Sequence, residues 1–488
     1  MSDPHPRSVE LGFLSASEVL RRFAIGDLTS VDVVAMLLER IAEVDAPGTA
    51  VALNSIAALN ADARNLARVL DDERARGVCR GLLHGVPVVI KDNIEAVGLP
   101  GIAGSTSLIG RPSRDAPLVT RLRDAGAIIL ASTNLSEWAN IRSPRSTSGY
   151  SSSGGLVGNP WSLERSAGGS SSGSGAALAA GLAPLAVGTE TDGSIICPAS
   201  VNGVVGLKPT VGVVPARYVV PISASQDSPG PMGRSVEDVA LLFGVLSDSV
   251  APTAGPTPTF AVATNWRTGH PKTDGLFDEV IERVRHGGLE VRAREVAWPD
   301  DQVYKDEGTV MFSELYDDLS AYLADRPGEG VRSLADVVAF EDEHAETELV
   351  YFGHEQFVTA LATSGRAGPE YAAARQRNLT WAVETCLEPA LDGVDFLLAP
   401  SYGPSWKSDL VLGGLTGAST PVTMAPAIAG WPIMALPFGL VDGLPVGLAL
   451  VGRAHSEWAM IDAAQRIETL IGLPAHASRP LWRAPSRG

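Results

Sequence analysis

Apolar positions recur at helical spacing through the first eighty residues, so residues 1–80 are predicted to be an N-terminal helical part. Ser15-Ala16-Ser17-Glu18 reads as a capping box, and Thr29-Ser30-Val31-Asp32 opens a second run through Leu37, Leu38 and Ile41. A third helix is predicted over 61–76. The period then changes. Val86-Pro87-Val88-Val89-Ile90 is a short apolar run of strand type, set between Gly85 and Lys91-Asp92-Asn93. Leu118–Ala125 reads as a helix and Ala127–Leu130 as a buried strand. Phe260–Thr264 and Leu289–Val296 read as strands around a helix, followed by acidic helices between about Asp301 and Leu391. Apolar strands return at Val394–Ala399 and Val446–Val451. Helices alternating with short apolar strands predict an α/β fold, a central sheet covered by helices.

A chain of 488 residues has room for two or three domains, but it shows no internal repeat and no linker. One large domain is expected. Its parts are the helical 1–80, a core over 81–245, an α/β segment over 246–400 with a helical insertion at about 300–390, and a C-terminal 401–488 that completes the same domain.

Residues 142–194 stand apart. Ser143–Gly155 and Ser166–Gly175 are dominated by Ser and Gly, a composition usually found in flexible linkers. The stretch that follows, Gly175–Gly188, carries no charge and is expected to be buried as a helix. A Ser/Gly loop anchored to a buried helix has the character of an active-site loop.

Composition narrows the partners. Hydrophobic residues make up 45% and charged residues 19%, which is a core-rich globular chain. A net charge of −18 repels phosphate backbones and anionic lipid, so neither nucleic acid nor membrane is expected as a partner. Three cysteines, Cys79, Cys197 and Cys386, are too few and too far apart for a disulfide framework or a metal site. Met1–Pro6 lacks the pattern of a signal peptide, and Gly175–Thr189 is too short to span a bilayer. A cytoplasmic location is expected.

One count changes the picture. Of the 38 basic residues five are lysine: Lys91, Lys208, Lys272, Lys305 and Lys407. Arginine keeps its proton in a protein whereas a buried lysine can lose it, so each lysine calls for its own explanation.

Several chemistries fail on their motifs. Gly168–Gly175 resembles a phosphate cradle, yet no lysine lies between Lys91 and Lys208 to complete a P-loop, and Arg165-Ser166-Ala167 is no buried strand. None of the eight histidines sits in a Ser/Gly-rich motif, which weakens a Ser–His–Asp reading. Cys197 precedes Pro198 in an apolar context and reads as a small core residue. A Ser–Lys arrangement fits better. Lys91 at the end of a buried strand is poorly solvated, which favours a neutral amine able to take a proton from a serine. Gly188-Thr189-Glu190-Thr191-Asp192-Gly193-Ser194-Ile195 is a small polar loop that can set a serine hydroxyl among consecutive backbone N–H groups.

At these residues the chain resembles the amidase signature family. The resemblance rests on Gly168–Ser174, Gly188–Ile195 and Gly203–Thr210, with Gly85–Asn93 and Thr133–Trp138 upstream and Ala429–Pro432 and Gly443–Leu448 downstream. It covers nearly the whole chain. Within the family it is most similar to the bacterial peptide amidases, which release ammonia from C-terminally amidated peptides. The closer features are Asn134–Asn140, Thr189–Ser194, Pro221–Asp227 and Ser333–Asp336 followed by Ala339-Phe340. Asp192-Gly193-Ser194 departs from the Gly-Gly-Ser common in the family, which favours that branch over the amidotransferase subunits that work on charged tRNA.

The resemblance implies a mixed sheet with helices on both faces and a Ser-Ser-Lys triad. Ser194 is then the nucleophile, Ser170 the bridging serine in a cis peptide arrangement, and Lys91 the terminal base. Backbone N–H groups of Thr191, Asp192, Gly193 and Ser194 form the oxyanion hole. Asp192, Ser171 and Thr189 are candidate substrate contacts, and Lys208 is structural. For Asp192 two readings stand open, a brace for the loop or an acceptor for the substrate's N–H. No cofactor and no metal are implied; the partner is a small amide or amidated peptide, and the chain a monomer or homodimer. Two alternatives remain: an acyltransferase using the same acyl-enzyme, and a non-catalytic amidotransferase-like subunit.

Overall fold

Eleven strands form one mixed sheet in the computed structural model, which describes residues 11–49, 51–253, 255–413 and 418–472. The expectations placed on Met1–Pro6 and on the last residues of the chain lie outside that range. In chain order the strands are β1 (Ile56–Leu59), β2 (Pro87–Lys91), β3 (Ile128–Thr133), β4 (Leu185–Glu190), β5 (Val205–Lys208), β6 (Ser228–Gly233), β7 (Thr259–Ala263), β8 (Glu290–Arg294), β9 (Phe396–Pro400), β10 (Ile433–Val441) and β11 (Leu444–Gly452). Across the sheet they run β1-β3-β2-β4-β6-β5-β10-β11-β9-β7-β8.

Apart from the edge strands β1 and β8, the strands are largely buried on both sides, and their side chains divide with a period of two. In β9, Leu397 and Ala399 join one apolar cluster while Phe396 and Leu398 join a second. In β10, Ile433 and Ala435 go to the first and Met434 and Leu436 to the second. Helices flank the sheet on both clusters. The first takes α1 (Ala16–Ala24) and α2 (Ser30–Val44), whose N-caps are Ser15 and Thr29 as the capping boxes predict. The Thr29 box is complete; at Ser15 the hydroxyl takes the Glu18 N–H.

What positions the site is the pairing of β2 with β4. The two are parallel, with Val88, Val89 and Ile90 opposite Leu185, Ala186 and Val187. Their C-terminal ends, Lys91 and Thr189-Glu190, therefore emerge at the same edge, where open α/β sheets place their ligands. Antiparallel β6 starts there too, because Ser228 pairs with Glu190.

Two sequence expectations need correction. Residues 1–80 are not wholly helical: Ile56–Leu59 is an edge strand, antiparallel to β3, lying between α2 and α3 (Ala63–Ala75). Four residues are too few to show a period of their own. The uncharged Gly175–Gly188 run is not one helix either. It splits into α4 (Ser172–Ala179) and β4, with Gly181 at φ +71° and Pro184 between them, so a strand and not a helix leads into the Gly193-Ser194 loop. Burial of the run is as expected. As expected, Arg165-Ser166 belongs to no buried strand: it ends Ser162–Ser166, part of a partly exposed two-stranded ribbon outside the main sheet.

The 300–390 region is helical, led by α5 (Asp301–Asp325), whose N-cap Asp300 accepts the Val303 N–H. No helix of the described residues is long and apolar enough to cross a membrane.

Candidate active site

Lys91 is the last residue of β2 and is fully buried. Its Nζ lies 2.7 Å from Ser170 Oγ, 2.8 Å from Thr189 Oγ1 and 3.1 Å from the Thr189 carbonyl oxygen. Loss of hydration lowers its pKa to about 7, against the pull of Asp227 and Glu190, whose charges favour the ammonium. In the neutral form two N–H bonds serve the Thr189 oxygens and the lone pair is left for the Ser170 hydroxyl.

Ser170 sits just before α4, and the Gly169–Ser170 peptide bond is cis. The Ser171 N–H donates to the Ser194 carbonyl at 3.1 Å, which sets the two loops side by side. Among the described residues no hydrogen bond joins the Ser170 and Ser194 hydroxyls. Ser194 faces a cavity of about 240 Å³, lined also by Asp192, Gly193, Ile222, Met311, Tyr402 and Trp406.

The loop carrying Ser194 is held from below. Glu190 is 1% exposed, and its Oε2 accepts the N–H groups of Ile195 and Ile196 at 2.6 and 2.9 Å, at the start of the short helix Ile196–Asn202. The N–H groups of Thr191, Asp192, Gly193 and Ser194 donate to no described residue. Gly193 is required by its backbone: φ is +74°, and a Cβ there would stand 2.9 Å from Tyr402 Oη.

Lys208, from β5, is buried beneath the same loop. Burial lowers its pKa to about 8, opposed by Glu190, Glu457 and Asp192. Its Nζ reaches the Pro209 carbonyl at 3.2 Å and no serine, in keeping with a structural part.

The three candidate substrate contacts separate. Asp192 lines the Ser194 cavity; it takes a hydrogen bond from Thr423, and its Oδ1 has no partner. Burial raises its pKa, and burial together with the Asp192 charge pushes Glu307 of α5 up to about 8. Thr189 holds Lys91 and lines a second cavity. Ser171 lines neither; it is fully buried, with its hydroxyl exchanging hydrogen bonds with the Thr189 carbonyl and N–H at 3.1 and 3.2 Å.

Sequence reasoning passed over several residues. Asn93 Nδ2 donates to Thr189 Oγ1 at 3.0 Å, and Asp227 accepts the Thr191 hydroxyl at 2.5 Å and the Ile222 and Ser223 N–H groups. Asn93 stood in the Lys91-Asp92-Asn93 turn, and Asp227 closed the Pro221–Asp227 stretch. Tyr402, Thr423 and Glu307 lie in segments without a motif and are assembled by the fold alone.

One set of carboxylates, Glu137, Glu341 and Glu348, converges closely enough to grip a cation. That cation is already Arg142, whose guanidinium is 2.6 Å from Glu137 and 3.8 Å from Glu341. Trp138 and His354 also bind Glu341, and Ser152 binds Glu137.

A mixed sheet with a buried lysine and two serine loops at one edge, taken with the relatives that share the fold, defines an amide hydrolase. The chain belongs to the amidase family: that family's model, described as Amidase, matches residues 32–461. The native peptide amidase of Stenotrophomonas maltophilia superposes with a TM-score of 0.85 at 37% identity, over 93% of this chain and 96% of that one. A peptide amidase solved with the competitive inhibitor chymostatin gives 0.87 at 38%, over 93% and 97%. By sequence the chain is also 35% identical to a glutamyl-tRNA(Gln) amidotransferase subunit of Symbiobacterium thermophilum, over 96% of this chain and 98% of that protein.

Proposed function

We propose that this amide hydrolase works through an acyl-enzyme on Ser194 and deamidates the C-terminal amides of peptides or related carboxamides. The observation that carries the reading is the contact between the fully buried Lys91 Nζ and Ser170 Oγ, 2.7 Å. An amine with a pKa lowered to about 7 is a competent base near neutrality. Ser170 passes the Ser194 proton to Lys91 as Ser194 Oγ attacks the carbonyl carbon. The N–H groups of Thr191–Ser194, free of internal acceptors, stabilise the oxyanion. The proton returns through Ser170 to the departing nitrogen, ammonia leaves, and water repeats the sequence on the ester.

The carboxamide substrate draws support from the two peptide amidase structures and from Asp192, an unpaired acceptor on the cavity wall beside the nucleophile. The identity to the amidotransferase protein supports a second reading, in which glutamine is the amide donor and ammonia is passed on. A net charge of −18 weighs against tRNA as a partner. Ammonia release across amidated peptides, free amino-acid amides, aliphatic amides and glutamine separates the two. Amidated peptides are expected to lead; preference for glutamine would favour the second reading. Intact mass after treatment with a fluorophosphonate is expected to show one adduct, lost in Ser194→Ala.

A further inference from the structure

A second cavity of about 400 Å³, larger than the one that Ser194 faces, opens on the other side of Thr191. The two share Ala139, Thr191 and Ile222 as wall residues and therefore adjoin. The larger one lies on the base side of the site. Its wall includes Thr189, whose Oγ1 is 2.8 Å from Lys91 Nζ, and Asn93, which is 2% exposed and whose Oδ1 has no hydrogen-bond partner. Much of the remaining wall is apolar, including Val211, Val219, Val220, Pro221 and Pro229. Of its carboxylates, Asp318 is paired with Arg366, Asp325 with Arg114, and Asp227 is bound by Thr191. Ammonia needs none of this space.

We propose that this cavity is the amine-side subsite of the same active site, and that it takes the nitrogen substituent of an N-substituted amide carrying an apolar group. The inference rests on the Ser194 acyl-enzyme reading and extends its substrates from primary to secondary amides. The direction follows from proton bookkeeping. The acyl carbon must meet Ser194, which lines the smaller cavity, while the departing nitrogen must meet the proton held by Ser170 and Lys91. In the reaction the carbon–nitrogen bond breaks and Ser194 Oγ forms the ester. The proton that Ser194 gave up joins the nitrogen, and R–NH₂ departs through the larger cavity. Water then releases the acid, so that amide plus water gives acid plus amine.

The test pairs one acyl group, the best found among primary amides, as its –NH₂ and its N-benzyl amide. The N-benzyl amide is expected to be hydrolysed with a kcat/KM within tenfold of the primary amide. Ala321→Trp, at an exposed helical position on the cavity wall, should lower the ratio of the two at least tenfold, and Ala216→Trp on the opposite segment should do the same. Benzylamine binding by calorimetry reads the subsite without turnover; it should be saturable in the wild type and at least tenfold weaker in Ala321→Trp. Hydrolysis of the primary amide with no N-benzyl turnover and no benzylamine binding overturns the proposal and leaves the acyl-enzyme reading intact. Equal loss on both substrates, or a change confined to acyl preference, also overturns it. Absence of turnover on every amide with no phosphonate adduct on Ser194 defeats the acyl-enzyme reading, and this proposal with it.

Discussion

Lys91 Nζ and Ser170 Oγ, 79 residues apart in sequence, meet at 2.7 Å with both side chains buried. The lysine is held by the end of a buried strand and the serine by the turn into α4. A base with pKa about 7 is active when neutral, so kcat/KM should rise with pH through about 7 and level off above it. A profile flat down to pH 4–5 would indicate a carboxylate base instead. Lys91→Ala should lower kcat/KM by about 10²–10⁴-fold or more.

Ser194→Ala and Ser170→Ala should each bring comparable losses, because a relay acts as a unit and its deletions are not additive. Single-turnover kinetics with an activated ester separates them. Ser194→Ala should give no burst at all, and Ser170→Ala a slowed one.

Asp192 is expected to read substrate backbone. If its unpaired Oδ1 accepts the peptide N–H, Asp192→Asn should weaken turnover of amidated peptides while largely sparing small amides. Asp192→Gly should shift the preference further toward small amides. Equal loss on all substrates would make Asp192 a brace for the loop through Thr423.

Gly193→Ala places a Cβ at φ +74° and 2.9 Å from Tyr402 Oη. The backbone strain costs about 1–2 kcal/mol, and the displaced N–H should reduce kcat more than it raises KM. Thermal unfolding and steady-state kinetics check both. Adding Tyr402→Phe removes the contact but not the φ penalty, so rescue should be partial.

Arg142 stands among Glu137, Glu341 and Glu348, all fully buried. Arg142→Met leaves three carboxyl groups without their cation, at a cost of about 3–5 kcal/mol in urea unfolding.

The sequence by itself determined most of the local structure and named the chemical groups. Strand and helix periods located β2, β3, β7, β9 and β11, since each is apolar enough to declare its burial, and β8 by the alternation of its exposed edge. Lysine scarcity singled out Lys91 and the small polar Gly188–Ile195 loop singled out Ser194, while Ser170 was reached through the resemblance to the amidase signature family. Tertiary structure decided the rest. β1 is too short to show a period, and β6, Ser-Pro-Gly-Pro-Met-Gly, has no strand propensity; both exist because neighbouring strands supply their hydrogen bonds. The parallel register of β2 on β4 alone brings Lys91 to Thr189, and Tyr402, Thr423 and Glu307 reach Asp192 from segments hundreds of residues or a whole helix away. A lone residue in an unremarkable segment carries no local signal, because its environment is made by other parts of the chain.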